Sequence, residues 1–231
     1  MGHTPSWADK LRLWYLMQRI GFREIFAVLV VTYIVGLVVL LLPGLRDVYF
    51  QAFVLAPGIS WLTPLQLVTH LFVNPLTGLF GLISFFFLLG WFFIITQMSS
   101  DFAPPHRLVG QFLGGGVFAG IIYWLVATFV LDQGGAVYGA HLGIIAVAFS
   151  VAHQSPTARI PLFFFEVPFW VMAFLILVLY ATMPGGLLGG AAAAAFGWGT
   201  SELAKRGVDV HSWARVFFSP VRKPVAPRPP V

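Results

Sequence analysis

The stretch VYGAHLGIIAVA, residues 137–148, decides how this chain is read. It opens a run of small and aliphatic residues suited to a membrane helix, yet it carries one imidazole, His141. A polar group buried in hydrocarbon is costly unless it finds a partner. The apolar run ends near residue 152, well short of the roughly 20 residues that cross a bilayer. A helix this short has to be surrounded by other helices, with its polar end facing a protein-lined cavity. His141 lies at that end.

The rest of the chain fits such a bundle. Of 231 residues, 59% are hydrophobic and 9% charged, and the mean hydropathy is +0.89; soluble domains carry roughly 25% charged residues. Six apolar segments are expected, at about 25–42, 65–96, 108–131, 138–152, 167–182 and 186–203. The second is long for a single span and has Pro75 near its start. Residues 6–23, SWADKLRLWYLMQRIGFR, place Trp7, Leu11, Trp14 and Met17 at helical spacing among basic residues, with Ser6 and Asp9 as a capping box. That pattern predicts a helix lying on the membrane surface. Three regions result: an interfacial helix over 1–23, a six-helix membrane domain over 24–204, and a basic, Pro-rich tail over 205–231.

Charge sets the expected orientation. Lys10, Arg12, Arg19, Arg23, Arg107, Arg159, Lys205, Arg206, Arg215, Arg222, Lys223 and Arg228 fall on one side of a six-span arrangement, and Arg46 falls on the other. Basic residues mark the cytoplasmic side, so both termini are expected there, with His141 toward the outer face. The expected location is an integral position in a bacterial inner membrane. The net charge of +5 belongs to this topology, and no nucleic-acid partner is expected. Glu166 is expected at the cytoplasmic interface in a surface role. Small residues four apart mark close helix contacts: Gly116 with Gly120, Gly139 with Gly143, and Gly186 with Gly190, beside Gly189. The helices bearing them should form a tight core. Residues 46–66, apolar and aromatic with a Pro-Gly turn, should dip into the outer interface.

Several phrases in this order resemble the rhomboid family of intramembrane proteins. PLQLVTHLFVNP (64–75) is similar to the approach to that family's second helix and HRLVGQFLGGGVFAGIIY (106–123) to its third. RIPLFFFEVP (159–168) resembles the approach to the fifth, and LLGGAAAAAFG (187–197) the glycine-rich sixth. The resemblance covers roughly residues 25–203 and implies an all-α, six-transmembrane-helix bundle. Active rhomboids are serine proteases with a Gly-x-Ser-Gly serine on the fourth helix, a histidine on the sixth, and a His-x-x-x-Asn pair on the second that stabilises the oxyanion. Carried over position by position, Gly139-Ala140-His141-Leu142 stands at Gly-x-Ser-Gly, so His141 takes the serine's place. Leu187 takes the histidine's place, and Gly78 and Leu82 take the oxyanion positions. None of the family's catalytic side chains is present.

A hydroxyl nucleophile needs a base within hydrogen-bond reach. Ser150 lies nine residues from His141 along the fourth segment, about 13 Å at 1.5 Å per residue, and Ser84 on the second segment is expected to lie likewise deep. There is no cysteine, which removes thiolate nucleophiles and Cys-based zinc sites. His70 and His141 without a nearby carboxylate make a poor metal site, so neither metal nor cofactor is expected. A transporter or channel would call for intramembrane charges that this sequence almost lacks.

The reading is therefore a pseudoprotease. It would bind transmembrane segments of other membrane proteins within the bilayer and affect their stability or assembly. Its candidate cavity or client-binding residues are His141, Tyr138, Gly139, His70 and Asn74, and its helix-packing residues are Gly116, Gly120, Gly143, Gly189 and Gly190. The alternatives are an intramembrane peptidase with a non-standard site, or the serine endopeptidase activity that the fold alone would suggest.

Overall fold

The computed structural model describes residues 6–18, 20–42, 44–73, 78–99, 103–131, 134–162, 165–183 and 185–218. Asn74 and residues 219–231 of the Pro-rich tail lie outside these. The chain is mostly helical, in the order α1 (Trp7–Met17), α2 (Phe22–Leu40), α3 (Leu45–Phe53), α4 (Thr63–Thr69), a 3-10 turn (His70–Phe72), α5 (Gly78–Met98), α6 (Pro105–Phe129) and α7 (His141–Gln154). A hairpin of β1 (Arg159–Leu162) and β2 (Phe165–Pro168) follows, then α8 (Phe169–Ala181), α9 (Gly186–Lys205) and a 3-10 helix (Ser212–Phe218).

Three described helices are long and apolar enough to cross a membrane, at Phe22–Val39, Gly81–Met98 and Pro105–Phe129. At 1.5 Å per residue, the 14 residues of α7 and the 13 of α8 reach only about 20 Å, against a hydrocarbon core of about 30 Å. α9 has the length, but its glycines, alanines, Glu202 and Lys205 leave it less apolar. The long second segment proves to be two elements, α4 with its 3-10 turn and then α5. Its first half is tied to the preceding loop, because Gln66 Nε2 donates to the Gln51 carbonyl (2.7 Å) and Thr69 Oγ1 to that of Phe53 (3.2 Å). The loop after α3 is fixed in turn by paired backbone bonds between Leu55 and Val137 (3.1 and 2.8 Å) and by Trp124 Nε1 donating to the Gly58 carbonyl (2.7 Å). It exposes Ile59 and Trp61.

α1 begins with the capping box read from the sequence, since Ser6 Oγ accepts from the Asp9 N–H and the Asp9 carboxylate accepts from the Ser6 N–H. Trp14 packs on Phe26 and Phe93 while Trp7, Leu11 and Met17 remain exposed.

The core is the trio α6, α7 and α9. Every residue of α7 from Leu142 to Ala152 is buried. The contact rests on Ala146, whose methyl meets Gly115 of α6 and whose carbonyl meets Gly197 of α9; a Cβ on either glycine would overlap it. Gly143 packs on the Phe112 carbonyl, where a Cβ would stand at 2.7 Å, and Gly190 on Leu177. Gly116 and Gly120 carry out a different task from the one the spacing suggested. They face Leu71 and His70, beside α4, and the trio uses Gly115 instead. Deeper along the trio, the Gln111 and Gln154 amides both donate to Ser150 Oγ, and Ser201 Oγ donates to the Ser150 carbonyl (3.2 Å). These bonds satisfy polar groups that would otherwise be buried at a cost.

Two features depart from the expected organisation. An antiparallel hairpin, with Ile160 opposite Val167, precedes α8, and Arg159 and Glu166 make a loose exposed pair at 3.8 Å on it. The segment after Lys205 is not all tail: it folds back on α6 as far as Phe218. Asp209 anchors it, taking Arg215 Nη2 at 2.7 Å, His106 Nε2 at 3.0 Å and the His211 N–H at 3.2 Å, with Arg107 at 3.6 Å. The His211 ring is buried against Gly110 and Phe196.

The packing makes one expectation quantitative. Gly197→Ala places a methyl on the Ala146 carbonyl, and overpacking of this kind costs about 1–3 kcal/mol. Gly199, with nothing within 4 Å, is the control on the same helix. Gly197→Ala should lower the melting temperature by several degrees and Gly199→Ala should not lower it; equal melting would refute the crossing.

The folded-back segment should respond to acid. Burial pushes His211 down to about 4, against an upward pull from Asp209, with Arg107 and His106 adding to the fall. A docked ring is therefore neutral, whereas a released ring takes up a proton below its ordinary value of 6.5. Docking stability is full above that value and is lost as the pH falls from about 6.5 toward 4. Asp209 opposes burial with hydrogen bonds from His106, Arg215 and His211 and is held near 2, so its share disappears only in stronger acid. Hydrogen exchange over 208–218, corrected for intrinsic rates, should rise between pH 7.5 and pH 5. His211→Phe should remove most of that rise.

Candidate functional site

The N-terminus of α7 is held from two sides. Gly139 takes φ +95°, a conformation suited to glycine, and its N–H donates to the His70 carbonyl at 2.7 Å. Val137, two residues earlier, is paired with Leu55. This fixed approach sets His141 as the first helical residue.

His141 floors a cavity of about 160 Å³ between α5 and α8. From α5 come Ser84, Phe87, Leu88 and Trp91; from α8 come Ile176, Leu179 and Tyr180, with Ile144 beside the imidazole on α7. The imidazole stacks on Tyr180, with ring centroids 5.2 Å apart and planes 22° from parallel. Its Nδ1 is buried and has no hydrogen-bond partner among the described residues. The cavity is thus a mainly apolar cleft with the His141 imidazole and the Ser84 hydroxyl in its lining, and α5 and α8 form its walls.

Among the other residues singled out from the sequence, Gly139 is buried and Tyr138 half-buried in the approach to α7, but neither lines the cavity. His70 is fully buried elsewhere, between Gly120 and its own helix, with Nδ1 at 2.9 Å from the Gln66 carbonyl and Nε2 without a partner among the described residues. Leu187 is 67% exposed and lines a different cavity, with Tyr123, Gly134 and Ala191. Leu82 is exposed on α5 and does not line the cleft; Gly78 is the first residue of that helix. Leu142 turns away from the cavity and packs against Gly189, where a Cβ would lie 3.1 Å from its methyl. Ser150 is buried and bonded to Gln111 and Gln154.

Ser84, expected deep and away from His141, stands in the cleft with it. Tyr180, which stacks on the imidazole from another helix, was not legible in the sequence. Periodicity assigns each to a helix but cannot pair helices that are far apart in the chain. No hydrogen bond joins Ser84 to His141 among the described residues. No three His, Cys, Asp or Glu side chains among the described residues gather as a metal site would require.

Writing Ser and His back at the two family positions, as His141→Ser with Leu187→His, should not create a protease, because the two positions open on different cavities. A fluorophosphonate probe should label neither this double variant nor the unaltered protein above a heat-killed control. Site-specific serine labelling of either would contradict this.

No family model matches this sequence, and neither the curated proteins nor the solved structures give a match.

Proposed function

We propose that this chain is a rhomboid-like pseudoprotease, an integral membrane protein of six spans with both termini cytoplasmic. In this reading it binds transmembrane segments of other membrane proteins and affects their stability or assembly. The observation that carries the reading is the cleft between α5 and α8, with apolar walls and the His141 imidazole in its lining. A regular helix entering from lipid satisfies its own backbone and has nothing to offer that ring. A segment interrupted by Gly or Pro has free backbone groups, costly in hydrocarbon, and His141 can pair with one of them. The cleft therefore favours clients whose helices are locally broken at the depth of His141.

A second reading, a peptidase with a non-standard site, draws support from Ser84 lining the same cleft as His141. It lacks a Ser–His hydrogen bond among the described residues, and labelling that is lost on Ser84→Ala would favour it.

The test uses two labelled single-span peptides in nanodiscs, one of uninterrupted Leu and Ala and one with a Gly-Pro break in its outer third. The broken peptide should bind more tightly, and a photo-crosslinker at Phe87 or Leu179 should capture it where one at Val31, on α2, does not. His141→Ala should weaken its binding by about three- to tenfold, the worth of one hydrogen bond, with little change in melting temperature; His141→Asn should retain most of it. Equal binding of the two peptides, or a large melting loss with normal binding in His141→Ala, would end this reading.

A further inference from the structure

A second apolar groove lies at the opposite end of α8 from the His141 cleft. It has a volume of about 410 Å³ and runs between the first half of α8 and the last half of α9, over the C-terminal end of α7. The buried Phe149, Ala152 and Ala173 form its floor, and Trp170, Phe174 and Trp198 stand at its sides, each about half exposed (50%, 49% and 51%). Trp198 is steadied by His153, with ring centroids 4.5 Å apart. Lys205 closes the end of the groove.

The charge at that end is not self-compensated. Glu202, one turn away, is engaged by His153 Nε2 at 3.0 Å and by Arg206 at 3.0 Å. Lys205 enters no ion pair among the described residues; its ammonium gives one hydrogen bond, to the His153 carbonyl at 2.9 Å. An ammonium has three donors, so two remain to meet an anion. Exposed tryptophans flanking an apolar groove suit the level of lipid headgroups. A lysine at the end of an acyl-sized groove suits a phosphate.

We infer that this groove binds an anionic phospholipid, one acyl chain lying between Trp170 and Trp198 and the headgroup phosphate held by Lys205. A zwitterionic lipid offers the same chains but carries a cation that opposes Lys205, so the site discriminates by headgroup charge. The inference rests on the chain lying in a membrane and is independent of what the cleft at His141 binds.

The test is competition in mild detergent. The full chain is equilibrated with equimolar phosphatidylglycerol and phosphatidylcholine of identical acyl chains, and retained lipid is read by native mass spectrometry. One lysine near an anionic surface supports about a fivefold preference, so phosphatidylglycerol should be enriched about fivefold. Lys205→Gln should bring the ratio near unity, and Lys205→Arg and the remote Lys10→Gln should keep it. Trp198→Ala should reduce retention of both lipids. Glycerol phosphate at matching concentration should displace nothing; displacement would mean a free-anion site and overturn the assignment. Equal retention of the two lipids by the unaltered protein overturns it as well, whatever the variants do.

Discussion

The close crossing at Ala146 is the constraint from which the other contacts follow. Gly115 and Gly197 let α6 and α9 approach α7 from two sides until only the Ala146 methyl and carbonyl separate them. Helices in lipid gain little from hiding apolar surface from one another, so association depends on fit and on hydrogen bonds across the contact. Small residues provide the fit here, and Gln111, Gln154, Ser150 and Ser201 provide the bonds.

Once α7 is enclosed, its N-terminus has one position, pinned by the Gly139–His70 and Leu55–Val137 backbone bonds. α5 and α8 remain at the periphery, and each turns large apolar side chains outward, Phe86 and Phe87 on one and Phe174, Leu175 and Val178 on the other. The cleft exists because the trio needs neither helix to seal it. The site has a floor held by backbone bonds and walls whose outer faces are exposed and apolar.

The sequence made the short buried helix legible, since the run around His141 could not span a bilayer and had to be surrounded. It also revealed the Ser6–Asp9 cap, which is purely local. It failed where geometry is set between distant segments. Gly116 and Gly120 have the spacing of a helix contact, but spacing does not name the partner, and theirs is the stretch around His70. The break between α4 and α5 was hinted at by Pro75 yet hidden by continuous hydropathy. The docking of residues after Lys205 depends on Asp209 meeting His106 and Arg107, about a hundred positions earlier, and no local pattern records that. In the cleft, His141 was visible as an anomaly, whereas Tyr180 and Ser84 were ordinary members of apolar runs.

The GGAAAAAFG stretch of α9 has a further consequence. Glycine and alanine have almost no side-chain rotamers to lose, so laying this face on α7 costs little conformational entropy. The same smoothness carries little positional information, because one alanine fits a shallow groove much as the next does. Sliding α9 by one turn would exchange small residues for small residues over most of its length. Two things forbid the slip: Gly197, since a one-turn slide would set Ala193 or Ser201 against the Ala146 carbonyl, and the polar end, where Ser201 meets the Ser150 carbonyl, Glu202 meets His153, and Lys205 reaches the His153 carbonyl. α9 thus behaves as a smooth rod with one notch and a toothed end, its affinity spread along the rod and its register set by Gly197 and a few polar residues.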